Sequence, residues 1–256
     1  MYHNHPVKID IAGTVETIAE ITAEKLYEVY NVFYNLNNMI LCVAGNVTVD
    51  GVLKVADKML KPCEKKEIKN YFETEPYEIK EPYVEQTFPV SMPLFNLGFK
   101  EKADKPLNEK QLACTDILLS ALASNTSILY RNLMDSNLIN SSFSYELFEG
   151  PGYCSVIFGG ESRAPKQAAE MIKQYISDIK KNGIDKEDFE IARKSVYGDS
   201  VSSLNSVSAI SNSIIDYAMQ ATKFLPTLML LQMQSLRIST QGLPRCSMLT
   251  TVLCLL

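Results

Sequence analysis

The chain has 256 residues, of which 46% are hydrophobic, and its 30 acidic and 25 basic residues give a net charge of -5 at pH 7. This length and apolar content suffice for two small globular domains, and the acidic balance without a basic stripe argues against a nucleic-acid partner. No run of 18 apolar residues and no secretory-type N-terminus is seen, which predicts a cytoplasmic protein without a membrane span.

The first 62 residues predict a helix, a strand and a second helix. Thr22 is a plausible N-cap for a helix through about Tyr34, and the continuous apolar run 39–44 has the length of a strand. An amphipathic helix follows from about Val49 to Leu60. These elements contain nothing that would close their own core.

Residues 63–82 are rich in Lys and Glu and predict a charged linker. A second domain is expected over 83–222. It opens with a strand within 83–100, which Pro89 and Pro93 place at a sheet edge or at a bulge. Five further helices are expected, over 108–123, over 127–135, from Pro165 to just before Gly183, from 185, and over 203–220. An antiparallel hairpin of 142–147 with 152–158 is expected as well.

This order of strands and helices predicts an α+β fold, in which an antiparallel sheet is covered by helices. Residues 223–256 do not fit the pattern. No Asp or Glu occurs from Tyr217 to the end of the chain, and helical periodicity is lost. A translated frameshift, or a tail that contacts a membrane or a partner, would explain this composition. No returning strand is recognisable here, so an exposed sheet edge and low stability are expected.

The residue order in the first 50 positions resembles the pitrilysin/insulinase family of zinc metallopeptidases. The resemblance is carried by His5-Pro6, Ile11-Ala12-Gly13-Thr14, Ile18, Ile21-Thr22, Leu26, Tyr30, Phe33-Tyr34, Asn38-Met39 and Gly45-Asn46-Val47. It implies two half-clamshell domains that enclose a peptide, one active and one inactive. On this basis, 1–62 is the end of an active-type domain and 83–222 most of an inactive-type one.

The resemblance also implies zinc held by a His-x-x-Glu-His motif in the full-length family member, upstream of the matching segment. The chain lacks this motif, and its only histidines are His3 and His5. A catalytic zinc needs three protein ligands and a position for water. No metal site or cofactor is therefore expected in this chain, and the two histidines are expected on a frayed, solvated terminus.

Two substrate-binding positions of the family's inactive domain carry over to Met134 and Asn140. The family pattern is an arginine and a tyrosine in Leu-Arg-x-x-x-Leu-x-Tyr, and the matching stretch here is 133–140. Neither the cation nor the phenol is present to polarise a carbonyl. Arg131 lies nearby and is a candidate replacement, although an arginine on a polar helix face is more often only solvated.

The six cysteines show no paired spacing and are interpreted as reduced thiols. Most are expected to be small buried hydrophobes, and a peptidase that uses Cys114 or Cys154 as its nucleophile is the weakest hypothesis.

Two main hypotheses follow. In the first, the chain is the non-catalytic, substrate-enclosing portion of a pitrilysin-family zinc metalloendopeptidase, with a peptide as substrate and the missing catalytic domain as partner. In the second, it is a non-catalytic interaction subunit that pairs with an active peptidase. Both predict a chain that is inactive alone.

Overall fold

A computed structural model describes residues 1–219 and the backbone of 251–255. The chain divides into two compact units. One unit contains Met1–Lys8 and Glu73–Asp199 together with the backbone of 251–255, and we call it the sheet unit. The other contains Ile9–Phe72 and the described residues from Ser200, and we call it the helical unit.

The helical unit contains three helices in its first part, α1 (Val15–Ala19), α2 (Ala23–Phe33) and α3 (Val49–Met59). Thr22 caps α2 and Thr48 caps α3, each through its side-chain oxygen. The caps and helix bounds agree with the sequence. The predicted strand over 39–44 is absent from the described ladders, because a strand requires a hydrogen-bonding neighbour and the described residues supply none there.

The sheet unit is built on five strands in the order β1-β5-β2-β4-β3. The strands are β1 (Tyr83–Glu85), β2 (Leu94–Lys100), β3 (Ser144–Gly150), β4 (Tyr153–Glu161) and β5 (Thr251–Leu255). The predicted hairpin is confirmed: β3 and β4 are antiparallel, with Gly150 opposite Tyr153 and Gly152 at φ +83° in the turn. β2 pairs antiparallel with both β4 and β5, whereas β1 and β5 run parallel.

Five further helices are α4 (Glu109–Ala123), α5 (Ile128–Asp135), α6 (Pro165–Asn182), α7 (Lys186–Ser203) and α8 (Val207–Met219). Asn108 and Gln111 form a capping box at the start of α4, and Pro165 opens α6. The stretch Glu109–Asp135 is apolar enough for a membrane span, but it contains two helices and 61% of its most apolar window is buried. That burial is typical of core helices.

The core lies between one face of the sheet and the helices α4 to α7. β2 contributes Phe95, Leu97 and Phe99 to the core face, and they alternate with residues of the opposite face because side chains along a strand repeat every two residues. Phe158 of β4 meets Phe99 edge to face, with ring centroids 5.9 Å apart. The helices contribute buried residues that include Ile117, Leu119, Leu129, Leu133, Ala168, Ile172, Phe189 and Ala192. The predicted α+β fold is confirmed.

The expectation of a missing last strand was wrong. The backbone of β5 lies between β1 and β2, with Val84 opposite Cys254 and Gly98 opposite Val252. An apolar run without turn residues is typical of a strand inside a sheet, and the residues of β5 form such a strand. The atypical composition of 223–250 lies outside the described residues.

Two further expectations need correction. The predicted strand within 83–100 is two strands. β1 lies at the edge of the sheet, as expected, whereas β2 is an interior strand, because Pro89 and Pro93 precede it and cost no ladder hydrogen bond. The N-terminus is not frayed: Tyr2 and His5 are buried in the sheet unit. Residues 73–82, predicted as linker, belong to the same unit, while the predicted assignment of 1–62 and 83–222 to two peptidase domains stays a prediction.

Candidate functional site: the helix-free face of the sheet

The described helices cover one face of the sheet; we call the other the helix-free face, and among the described residues it carries only the N-terminal segment and exposed surface. The side chains on this helix-free face are those of alternate residues, in rows that cross three strands. The rows are Phe148, Ser155 and Lys100; Glu146, Ile157 and Gly98; and Ser144, Gly159 and Asn96. The three rows differ in what lies over them.

The N-terminal strap, Met1–Lys8, covers the first row. The Tyr2 hydroxyl donates to Ser155 Oγ at 3.2 Å, and the ring of Tyr153 lies 5.0 Å from that of His5. His5 is 3% exposed, and its Nε2 lies 3.0 Å from the Pro151 carbonyl oxygen in the hairpin turn. These contacts fix the strap on the sheet.

A buried ion pair holds the strap at its other side. Glu75 accepts hydrogen bonds from the backbone N–H groups of His3, Asn4 and His5, and Lys100 Nζ donates to Glu75 Oε1 at 2.6 Å. Burial alone would raise the pKa of the Glu75 carboxyl, but the hydrogen bonds from Lys100 and the three N–H groups lower it to about 2. The hydrogen bonds of the folded chain therefore stabilise the charged form of Glu75.

The third row is open to solvent. Asn96 and Ser144 are exposed and flank Gly159, and the neighbouring row adds the exposed Glu146. A Cβ atom at Gly159 would meet Asn96 Oδ1 at 2.2 Å, so the glycine leaves room for this amide. The result is a shallow polar surface that offers hydrogen-bond donors and acceptors.

Asn140, a predicted substrate-binding residue, lies at the border of this surface. Asn137 adopts φ +54° and ends α5, which brings Leu138 and Ile139 into the core and Asn140 to the sheet. Asn140 Nδ2 donates to Glu161 Oε2 at 2.6 Å. The residue therefore positions a carboxylate at the end of β4.

Ser142 completes this network. The Ser142 backbone N–H donates to Asn140 Oδ1 at 2.9 Å, and the Glu161 N–H donates to Ser142 Oγ at 2.8 Å. The sequence resemblance pointed to Asn140 but missed Glu161. The period-two alternation of β4, which places Glu161 on the helix-free face, is the signal that could have found it.

The other two predicted residues, Met134 and Arg131, are on α5. Both side chains are exposed. Within residues 1–219, no hydrogen bond or ion pair joins Arg131 to Asn140 or Glu161. The structure thus brings Asn140, but not Arg131, into the polar network, and the substrate-binding role of all three stays a prediction.

The outer edge of the sheet adjoins the open row. β3 pairs with β4 on one side, and no other described strand pairs with it. Such an edge presents backbone N–H and C=O groups to which an extended peptide can add as a further strand.

The described residues do not fit a zinc ion. No group of three or more His, Cys, Asp or Glu side chains in this part of the chain is placed to hold a metal. Both ring nitrogens of His5 are already engaged, with the Pro151 carbonyl and the Val7 N–H. His3 Nε2 is buried without a hydrogen-bond partner among these residues, but one nitrogen cannot replace the three ligands of a catalytic site.

Burial also disfavours the two candidate thiol nucleophiles. Burial, with smaller contributions from Glu149 and Glu101, raises the pKa of Cys154 to about 11. Burial raises the pKa of Cys114 as well. Because the thiolate is the reactive form, neither side chain is activated in this fold.

Comparisons with known proteins agree on one family. Residues 20–196 match the family described as Peptidase M16 inactive domain. A zinc protease of Bacillus subtilis (strain 168), YmfH, is 33% identical over 224 residues, which are 85% of this chain and 52% of that protein. The chain spans about half the length of the curated relatives it matches.

Solved structures show the same fold. An M16-like peptidase from Alicyclobacillus acidocaldarius matches with a TM-score of 0.88 and 30% identity, over 100% of this chain and 62% of that one. A peptidase M16 inactive domain from Pseudomonas fluorescens matches with a TM-score of 0.83 and 14% identity, over 100% and 62%. At that identity the second likeness concerns the fold alone. The match over 20–196, the identity to the Bacillus protein and the shared fold agree with the resemblance seen in the sequence, and the chain belongs to the pitrilysin/insulinase (M16) family of peptidases, through the inactive domain of that family.

Proposed function

We propose that the chain supplies the non-catalytic, substrate-enclosing wall of an M16 zinc metalloendopeptidase. The match to the inactive domain supports this, and the single structural observation that carries it is the exposed part of the helix-free face beside the edge of β3, with which no second described strand pairs. An extended peptide pairs with β3 in this proposal and lies over the polar third row. Zinc and the water that attacks the peptide bond come from the catalytic portion.

The polar network gives the wall its proposed role. Glu161, held by Asn140 and Ser142, presents a fixed carboxylate at one end of the surface, and Glu146 presents a second one on β3. Both lie on the helix-free face, so a peptide with basic or N–H-rich groups along one side would meet acceptors there. Peptides with Lys or Arg are the preferred substrates in this proposal.

The test is reconstitution. The chain is co-expressed with the part of Bacillus subtilis YmfH that lies outside the 224 matched residues, and hydrolysis of a quenched fluorescent peptide is measured. We expect zinc-dependent hydrolysis from the pair and none from the chain alone. A pair that forms a complex and loads zinc but cleaves no peptide would contradict the proposal.

Two variants sharpen the test. Glu146→Lys reverses a charge on the proposed peptide surface, and it should raise KM for a Lys-containing peptide at least severalfold with little change in kcat. Glu170→Lys makes the same change on α6, where Glu170 pairs with Lys173 at the surface, and should leave both constants unchanged. Equal effects of the two variants would argue for general electrostatics instead of a peptide wall.

A further inference from the structure

His5 is a buried histidine that uses both ring nitrogens to fasten the N-terminal strap. Nε2 lies 3.0 Å from the carbonyl oxygen of Pro151 in the β3–β4 turn, and the Val7 backbone N–H donates to Nδ1 at 3.1 Å. The turn also closes over the ring, since a Cβ atom at Gly152 would lie 3.4 Å from His5 Cδ2. The side chain of His5 therefore attaches the strap to the tip of the hairpin.

These two partners fix the protonation state of the imidazole. A carbonyl oxygen only accepts hydrogen bonds, so Nε2 carries a proton, and a backbone N–H only donates, so Nδ1 carries none. A second proton on the ring would bring Nδ1–H against the Val7 N–H, donor against donor. It would also bury a positive charge at a residue that is 3% exposed. The attached strap is therefore compatible only with the neutral ring.

The carboxylate at the strap is already saturated by other donors. Glu75 Oε1 accepts from the His3 N–H and from Lys100, and Oε2 accepts from the Asn4 and His5 N–H groups. These four bonds use the acceptor positions of a carboxylate, and Lys100 balances its charge. With a pKa of about 2, Glu75 stays ionised at every pH above about 4.5 and keeps hold of the strap backbone.

The side chains that pack against the imidazole are aromatic. The ring centroids of Tyr2 and Tyr153 lie 6.3 Å and 5.0 Å from that of His5. Burial raises the pKa of Tyr2 to about 12, so its hydroxyl stays neutral near pH 7. Phe148 lies 5.1 Å from Tyr153 and follows Glu146 along the helix-free face. The hairpin end of this face thus carries two rings, beside the point where His5 attaches the strap.

We infer that the strap is a pH-sensitive latch: neutral His5 holds it on the hairpin tip, and protonation of His5 detaches it there while Glu75 still holds the backbone of residues 3–5. Histidine is the side chain suited to such a switch, because its charge changes near neutral pH. Detachment uncovers the hairpin end of the helix-free face. That this lengthens the peptide surface beyond Glu146 rests on the proposed function, whereas the latch itself does not.

Linkage gives the direction and the size of the effect. The detached strap binds a proton at His5 and the attached strap does not, so attachment is favoured at high pH and lost as the pH falls. An unrestrained histidine has a pKa of about 6.5, so the equilibrium constant for detachment should rise about tenfold between pH 8 and pH 5.5. The hydrogen exchange of the Val7 amide should report this change, because its N–H is released with the ring.

The test makes two measurements on the full chain, whose only histidines are His3 and His5. Heteronuclear NMR of the imidazole nitrogens at pH 8 should show His5 with a proton on Nε2 and none on Nδ1. Hydrogen exchange of the Val7 amide is measured at pH 8 and at pH 5.5, and each rate is divided by the rate of an unstructured peptide at the same pH. We expect the resulting protection to fall about tenfold.

Two variants assign the effect to one ring. His5→Gln keeps an N–H donor for the Pro151 carbonyl and cannot take up a proton, so its protection should change less than twofold. His3→Gln removes the neighbouring histidine and should keep the tenfold change. Desolvation lowers the pKa of the Met1 ammonium and raises that of the Asp116 carboxyl to about 6, so both groups also titrate near this range. Both are present in the two variants, and the contrast between the variants isolates His5.

Several results would overturn the latch. They are a protonated His5 ring under a Val7 amide that stays protected, a tenfold change that persists in His5→Gln, and its loss in His3→Gln. If His5→Gln already lacks protection at pH 8, the NMR titration of His3→Gln decides. Protonation of His5 at the pH where Val7 protection falls supports the latch, and protonation at a different pH contradicts it.

The same measurements separate the latch from the proposed function. The chain reconstituted with the part of YmfH outside the match is assayed for peptide hydrolysis beside the exchange experiment. Detachment of the strap at pH 5.5 in a pair that loads zinc but cleaves no peptide would uphold the latch and contradict the peptidase role. Hydrolysis by a pair whose Val7 amide is equally protected at both pH values would do the reverse.

Discussion

Lys100 Nζ lies 2.6 Å from Glu75 Oε1, and both side chains are buried, with 2% and 6% of their surface exposed. Lys100 also donates to the carbonyl of Pro76 at 2.8 Å, and its ammonium lies 4.7 Å from the centre of the Tyr2 ring. The pair therefore joins β2, the segment after residue 73 and the N-terminal strap. Its charges are compensated by hydrogen bonds, which is the condition under which a buried ion pair is tolerated.

Lys100→Met should lower the free energy of unfolding by about 3 kcal/mol or more, because it leaves the buried Glu75 charge without its cation. Chemical denaturation monitored by circular dichroism measures the change. Lys173→Met is the matched control: its partner, Glu170, is largely exposed, and surface pairs contribute only about 0–1 kcal/mol. Equal losses of unfolding free energy in the two variants would show that the buried pair contributes no more stability than the surface pair.

Acid should destabilise the sheet unit through Glu75. The pKa of its carboxyl is about 2 in the folded chain, below the ordinary value of 4.5, so the unfolded chain binds the proton first. The stabilisation is fully present above about pH 4.5 and is lost as the pH falls toward 2. Glu75→Gln should make the free energy of unfolding less dependent on pH across this window. An unchanged acid limb in denaturant titrations from pH 5 to pH 2.5 would contradict the assignment.

The thiols should differ in reactivity in the native chain. With a pKa of about 11, about one Cys154 side chain in a thousand is thiolate at pH 8, whereas Cys63 is exposed to reagent. Iodoacetamide at pH 8 should therefore label Cys63 well before Cys154 and Cys114, as mass spectrometry of peptides would show. Fast labelling of Cys154 in the folded protein would contradict this expectation and would make Cys154 a candidate nucleophile again.

Asn140→Asp should destabilise the sheet unit by about 2 kcal/mol at pH 7, because a second carboxylate replaces the amide that donates to Glu161. The deficit should be smaller at high salt, because dissolved ions screen the repulsion between two partly exposed carboxylates. Asn70→Asp, a change at an exposed position, is the control and should stay within about 0.5 kcal/mol of the parent chain. Thermal unfolding at low and at high salt measures the difference, and a deficit that does not depend on salt would rule out the charge explanation.

The sequence by itself determined the local elements and the family. Thr22, Asn108 and Pro165 mark helix starts because capping and a fixed φ are local effects, and the β3–β4 hairpin follows from alternation on either side of a glycine turn. The family was visible in the ordered residues of the first 50 positions. None of these features requires knowledge of distant contacts.

Only the tertiary structure decided where the ends of the chain go and which polar groups meet. The burial of His5 and the pairing of Glu75 with Lys100 join residues far apart in sequence, and no local pattern encodes them. The same holds for β5, whose place between β1 and β2 depends on strands formed about 150 residues earlier. Long-range pairing is a property of the assembled sheet, in which each backbone group must find a partner, so the local pattern of a strand does not say which strand lies beside it.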